Sequence, residues 1–286
     1  MPEPLVTVII VNHNRAALLE ACLCSLKKPQ GVPFEVVVVD NGSRDGSAAV
    51  VERFAASAPF PVRLLRNEAN LGFCAANNQG IRASQAPFVA LLNNDAEAEA
   101  EWLGRLHAAF ADRRVGMAAS KILVYDDPRV IDKAGHLIWL DGQNRGRGTG
   151  ELDLGQYDRT EEVLWPDGCA CMYRRAMLDE VGLFDEDLFA YGDDAELGLR
   201  ARIAGWRCLY VPGAVVRHHR GATLGVANPR RLALIERNRV LLAVKHFPPD
   251  LLLLNPLFFA LRAAAGAWAA LRGRGEAGRI PGAGGK

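Results

Sequence analysis

The sequence predicts an α/β protein with a mostly parallel central sheet, helices on both faces of it, and further helices at the C-terminus. Three observations predict this. Leu5 to Val11 and Phe34 to Val39 are continuous runs rich in β-branched residues, as strands buried on both faces require. Ala16 to Leu26, between them, carries apolar residues at helical spacing. The alternation then repeats, and strands alternating with helices stack as βαβ units.

In chain order, the next strand falls near Val62–Leu65, a helix near Gly72–Ser84, a strand over Phe88–Leu92 and a helix over Glu101–Ala111. After Gly116 the rhythm breaks. Asp126 to Thr160 is rich in Gly, Asp and Arg and reads as a long surface excursion. Short apolar segments follow at Val163–Trp165, Cys169–Tyr173, Cys208–Val211 and Ala214–Arg217, with a helix near Asp194–Ala204; they read as the mixed second half of one domain, residues 1–228. Pro229 opens a helix to about His246, Pro248-Pro249 interrupts it, and Leu251–Leu271 is a largely apolar helix. Residues 229–286 form the second unit, ending in a Gly/Arg-rich tail read as disordered from Gly273.

Composition narrows the function. With 286 residues, half of them apolar, the chain can bury a substantial core. Its net charge of +1 hides an asymmetry: Pro229 to Lys286 holds ten Lys and Arg against three acids, which leaves −6 on residues 1–228. A body of that charge is a poor nucleic-acid clamp. The six cysteines lack zinc-ligand spacing and read as reduced, mostly buried thiols. Met-Pro-Glu-Pro is no secretory signal, so a cytoplasmic location is expected.

In open parallel sheets ligands bind beyond the carboxyl ends of the strands. The first strand ends in Val11-Asn12-His13-Asn14 and the second in Asp40-Asn41-Gly42-Ser43-Arg44-Asp45-Gly46-Ser47. Neither carries a dinucleotide or P-loop signature, and the spacing after Asp40 is not that of a calcium loop. Asn-Gly makes a tight turn, with Asp45 or Ser47 capping the next helix, but capping leaves Asp40 free for a ligand. The fourth strand ends in Leu92-Asn93-Asn94-Asp95, with Glu97, Glu99 and Glu101 read as solvated first-turn acids. Asp95 is open to two readings, a turn residue or a carboxylate for a hard cation. In Asp193-Asp194-Ala195-Glu196, Asp193 and Glu196 have the spacing of a capping box, which leaves Asp194 without a structural task; a solvated first turn is the other reading. His218 and His219, as strand neighbours, face opposite sides, and His218 is a structural histidine or a ligand. Trp165, Phe189, Tyr191 and Trp206 are core residues or sugar-stacking platforms.

The stretches VTVIIVNHNR, VVVVDNGSRDGS, NEANLGFCAANNQGI, LLNNDA, DGCACMYRRAMLDEVGLFDEDLFAYGDDAELGLRARIAGW and VRHHRGAT, in that order over about residues 5 to 225, resemble the inverting family 2 glycosyltransferases of GT-A fold. Within that family the similarity is greatest to the rhamnosyltransferase-like enzymes of bacterial cell-surface polysaccharide assembly. The resemblance implies that Asn14 and Asp40 contact the base and ribose of a nucleotide-diphosphate sugar. Val11, Asn12, Asn70, Gly72, Asn78, Asn93 and Asn94 would line the same donor site. Asp95 would be the carboxylate of the D-x-D metal element, whose first acid is here Asn93, and His218, ahead of Gly221-Ala222-Thr223, would be a second contact to a divalent cation, Mg2+ or Mn2+. Asp194 would be the general base, with Trp165, Asp167, Tyr191 and Asp193 on the acceptor side. The implied reaction moves a sugar, rhamnose from dTDP-rhamnose first and a UDP- or GDP-sugar second, to a glycan or lipid-linked acceptor.

The rival from another class is a sugar-nucleotide-binding scaffold that does no chemistry; Asp194 argues against it. A nucleotidyltransferase would need a Gly-rich basic loop after the first strand, and Asn12-His13-Asn14 is not one. Leu251–Leu271 approaches a bilayer span in length, but Asn255, Pro256 and Arg262 interrupt it, so a helix lying in the membrane interface is expected, with a soluble hairpin or homodimer contact as the other reading.

Overall fold

A computed structural model describes residues 3–219 and 228–272. The first half follows the βα alternation: β1 (Val6–Asn12), α1 (Ala16–Ser25), β2 (Phe34–Asn41), α2 (Ser47–Ala55), β3 (Val62–Asn67), α3 (Phe73–Arg82), β4 (Phe88–Leu92), a short β5 (Ala96–Ala98) and α4 (Trp102–Ala108). The strands β3, β2, β1 and β4 lie side by side and parallel, so their carboxyl ends open on one rim. Each pleat sends successive side chains to opposite faces. Val6, Val8 and Ile10 pack with Leu19 and Leu23 of α1 and Trp102 of α4, while Ile9 packs with Cys74 and Ile81 of α3. The β-branched runs are therefore covered twice.

The second half is mixed. It comprises β6 (Val115–Val124), β7 (Ile131–Lys133), β8 (His136–Ile138), β9 (Asn144–Gly146), β10 (Glu161–Val163), β11 (Ala170–Arg174), α5 (Arg175–Val181), α6 (Asp193–Ile203) and β12 (Arg207–His218). β11 runs antiparallel between β4 and β6, and β12 extends the sheet parallel to β6. The two apolar segments at 208–211 and 214–217 are one strand, broken in register between Val211 and Val215. Such a bulge bends a strand and re-aims its end; here β12 goes on to pair with β5, setting His218 opposite Ala96.

Three sequence expectations are corrected here. Val115–Val124 is a central strand, not a break in rhythm; small residues, Ala118 and Ala119, let it pack between β11 and β12. Residues 126–160 are not a surface excursion alone, since Asp132, His136 and Asp141 are buried. Glu97 belongs to β5 and Glu99 follows it, and no acid sits in the first turn of α4; Glu99 instead pairs with Lys28 and Arg217.

The C-terminal segment forms α7 (Pro229–His246) and α8 (Pro249–Leu271). α7 packs into the same core through Leu242 and Ala243. α8 keeps Leu253, Leu257, Leu261, Trp268 and Leu271 exposed, and Pro249–Ala269 is, by length and composition, apolar enough to cross a membrane. Gly221-Ala222-Thr223 and the tail from Gly273 lie outside the described residues.

Candidate active site

On the rim of the parallel strands, amides and one carboxylate form a linked network. Asn12, last in β1, donates from Nδ2 to Ser43 Oγ at 3.1 Å and to Asp40 Oδ1 at 3.4 Å, and accepts from Asn94 Nδ2 at 2.6 Å. Asn14 sits at φ 52°, its N–H donating to Ser43 Oγ and its Oδ1 accepting from the Arg44 N–H. Val11 is half-buried beside Val39. Asn70 Oδ1 accepts from the Gly72 N–H and from Asn41 Nδ2. Asn41, which sequence reasoning did not single out, also donates to the Gly72 carbonyl and accepts from Asn67 and the Leu71 N–H. The signal was its place next to Asp40. Gly72 is required where it stands: its φ is +92°, and a Cβ there would lie 2.6 Å from the Phe189 ring.

Asn78 is committed elsewhere. Its Nδ2 donates to the Phe184 carbonyl and Glu186, and its Oδ1 accepts from the Phe184 N–H, so it pins α3 to the 184–186 turn. The Asn93 backbone is held by the Cys169 carbonyl and by the Cys22 thiol. Asp45 accepts from the N–H and hydroxyl of Ser47, the first residue of α2, as a cap of that helix. It also caps α1, accepting from the Arg15 and Ala16 N–H groups, and these bonds outweigh its burial and hold its carboxyl at about 2.

From this network a file of charged side chains runs from Asp95 to Asp194. Asp95 is buried, and its Oδ1 has no hydrogen bond; His218 Nε2 faces that oxygen at 3.4 Å. His218 Nδ1 lies 2.7 Å from Asp132 Oδ2 of β7. Lys133 follows, its ammonium 2.9 Å from Asp167 and 3.9 Å from Asp132. Asp167 Oδ2 meets His136 Nε2 at 2.9 Å, and the same nitrogen is 3.6 Å from Asp194 Oδ2. Asp194 also accepts from the Gly168 N–H at 3.4 Å. The file thus reads Asp95, His218, Asp132, Lys133, Asp167, His136, Asp194. Asp132, Lys133 and His136 had no sequence signal, lying in a Gly-rich stretch with no periodicity.

Burial dominates the titration here. Desolvation and then the neighbouring Asp194 push Asp193 up to about 8, and desolvation raises Asp194 as well, His136 and Lys133 opposing it. Lys133 and His136 overcome the burial of Asp167 and keep its carboxyl well below the usual range. His218 is raised well above the ordinary imidazole despite its burial, because Cys169, Asp132 and Asp95 surround it.

The capping box expected over Asp193–Glu196 is absent. The helix N-cap is Gly192, and Glu196 pairs instead with Arg200 and His246. The turn before α6 is strained, with Phe189 at φ 65° and Tyr191 at φ 70°. Asn238 of α7 holds it, donating to the carbonyls of Leu188, Ala190 and Tyr191. Of the aromatics, Trp165 is fully buried and stacks on His136, Tyr191 lies against Arg231, and Trp206 donates to Glu180.

A divalent cation fits Asp95 and His218. An orphaned, buried carboxylate oxygen faces an imidazole nitrogen whose partner nitrogen is already oriented by a carboxylate, the usual support of a metal-bound histidine. His136, Asp167 and Asp194 also place their ligand atoms within 4.8 Å of one another, but there Lys133 already supplies the positive charge.

The strand order 3-2-1-4-11-6-12-10, with helices on both faces of the sheet, is that of the GT-A fold. The profile of "Glycosyl transferase family 2" matches residues 7–182, and the chain belongs to that family. Its relatives include an N-acetylglucosaminyl-diphospho-decaprenol L-rhamnosyltransferase of Mycobacterium tuberculosis, 31% identical over 263 residues and covering 84% of each chain. An uncharacterized protein of the same organism is 29% identical over 93% of this chain and 81% of its own. Among solved structures, a mannosyltransferase from Pyrobaculum calidifontis in complex with GDP-Man and Mn2+ superimposes with a TM-score of 0.65 at 24% identity, covering 94% of this chain and 75% of that one. The protein is a glycosyltransferase of rhamnosyltransferase-like kind.

Proposed function

We propose that the enzyme is an inverting, metal-dependent transferase that moves rhamnose from dTDP-rhamnose to a cell-surface glycan or lipid-linked acceptor. The observation that supports this reading is the single file of contacts joining Asp95 and His218 to Asp194. The rhamnosyltransferase relative supports the choice of sugar and of a lipid-diphosphate acceptor.

Asn12, Asn14, Asp40, Asn70 and Gly72 would hold the nucleoside end of the donor, with Val11, Asn93 and Asn94 completing the rim. Mg2+ or Mn2+ held by Asp95 and His218 would offset charge developing on the diphosphate. His218 would give up its proton on binding the ion. Asp194 takes the proton of the acceptor hydroxyl, as its oxygen bonds to the anomeric carbon from the face opposite the diphosphate. The bond from that carbon to the diphosphate breaks in the same displacement, and the configuration inverts. Asp167 and Asp193 line the acceptor side with Tyr191, while Trp165 acts only from beneath, as the packing surface of His136.

We also propose that the enzyme works on the inner face of the cytoplasmic membrane, with α8 lying in its interface. Arg262 supports lying over spanning: it is bound to Asp141 and Glu236 of the protein body, contacts that a helix crossing the bilayer would lose. A thermal-shift screen of dTDP-, UDP- and GDP-sugars with Mn2+ tests the donor. Stabilisation by dTDP-rhamnose above the others is expected, and preference for a UDP- or GDP-sugar would replace rhamnose in this reading.

A further inference from the structure

The file of charges contains one residue that the mechanism above does not use and that reaches the base directly. His136 opens β8, is 3% exposed, and lies with its ring stacked on Trp165 at 18° between planes. Its backbone pairs with Gly146 of β9, so both the strand and the indole fix the plane of the imidazole. The two carboxylates it meets come from elsewhere: Asp167 from the turn before β11 and Asp194 from the first turn of α6.

We infer that His136 is a positioning residue for the base, its Nε2–H lodged between Asp167 and Asp194 so that Asp194 stays ionised and in place to take the acceptor proton. This rests on Asp194 being the base.

The geometry carries it. Nε2 is 2.9 Å from Asp167 Oδ2 and 3.6 Å from Asp194 Oδ2, while Nδ1 is buried with no hydrogen bond. A ring with one partnered and one bare nitrogen is satisfied by the tautomer with its hydrogen on Nε2, since a bare acceptor costs less than a bare N–H. That hydrogen bonds Asp167 Oδ2, with Asp194 Oδ2 beside the same nitrogen at 3.6 Å. Asp167 cannot take it over, because Lys133 and the Cys169 N–H already hold Asp167 as an anion. The other groups facing Asp194 are Asp193 beside it on α6, Lys133 on β7, Cys171 and Tyr173 on β11 and Cys74 on α3. Among these, desolvation and Asp167 disfavour the Asp194 anion, and the His136 N–H, with its nitrogen 3.6 Å from Asp194 Oδ2, favours it.

The test uses the full-length protein with His136→Phe, which keeps the stack on Trp165, and His136→Gln, which keeps an N–H donor. The Asp194 carboxyl is followed by 13C NMR on Asp-labelled protein, its resonance assigned by its loss in Asp194→Asn. In His136→Phe the Asp194 titration midpoint is expected to move up by about one pH unit, as loss of a favourable neighbour within ~4 Å requires, and His136→Gln to restore at least half of that shift. The acid limb of dTDP release from dTDP-rhamnose should move with it, while dTDP affinity with Mn2+ stays within about twofold. An unmoved NMR midpoint in folded His136→Phe overturns the inference, as does a uniform loss of turnover with no movement of the limb. Asp194→Asn separates the two claims: if it turns over at the wild-type rate, the base assignment fails whatever His136 does.

Discussion

His218 Nε2 faces Asp95 Oδ1 across 3.4 Å, the histidine from the last residue of β12 and the aspartate from the turn after β4, and among the described residues that oxygen has no hydrogen-bond partner. The pair has an imidazole, an orphaned carboxylate oxygen and, behind the ring, Asp132 at 2.7 Å. Asp95→Ala should remove the Mn2+ dependence of dTDP binding, read by calorimetry with and without the ion. Asp132→Asn should weaken Mn2+ affinity about 10–100-fold while leaving the ligand atoms in place. Unchanged Mn2+ dependence in both variants would move the ion elsewhere.

Asp194→Asn should preserve dTDP affinity and lower sugar transfer by roughly 10²–10⁴-fold, the usual worth of a positioned base. Single-turnover transfer and calorimetry on the same preparation check both halves of this prediction.

Asp193 gives a stability signature of its own. Burial and Asp194 push its carboxyl up to about 8, above its value in the unfolded chain. The folded state therefore holds a proton that the unfolded state releases. Stability falls as pH rises between the unfolded pKa of about 3.9 and the folded one, and is flat beyond. Asp193→Asn should make this slope shallower, leaving the part that Asp194 contributes, and raise Tm at pH 8, by about 2–4 °C for each kcal/mol recovered. Thermal unfolding in a chelator from pH 5 to 8.5 measures it, and parallel slopes for the two proteins would contradict it.

Gly72→Ala should cost about 1–3 kcal/mol, because the position needs φ +92° and the added methyl meets Phe189. Donor affinity should fall with it, since Asn41 and Asn70 both bond the Gly72 backbone. Denaturant unfolding and dTDP titration of the variant test the two effects separately.

Deleting α8 and everything after it should abolish flotation with anionic liposomes and leave dTDP binding intact. Cutting at Pro229 is the wrong comparison, because α7 supplies Asn238 to the turn before α6 and Leu242 to the core. Equal flotation of the shortened protein would remove the membrane role from α8.

The parallel half of the fold was legible because β1 and β2 are β-branched runs buried on both faces and stretches of helical spacing alternate with its strands. The long strand Val115–Val124 was not, since Gly116, Ala118, Ala119 and Ser120 carry little strand preference, and Lys121 is buried only because Asp153 and Asp158 neutralise it. Asn12, Asp40 and Asp95 were marked by standing at strand ends, a local property. Asp132, Lys133 and His136 had no such mark, because what sets them apart is which carboxylate each one meets.

The sequence by itself determined the alternating βα half, the family and the carboxylates at the strand ends, because periodicity and strand-end position are properties of neighbours along the chain. Only the tertiary structure decided that β12, bent at its bulge, delivers His218 to Asp95, and that a Gly-rich stretch inserts Lys133 and His136 between that pair and Asp194. Those partners lie tens of residues apart in the chain. Their charges are tolerated in the interior only because each finds an opposite charge or a hydrogen-bond donor there, a condition met in the folded state alone.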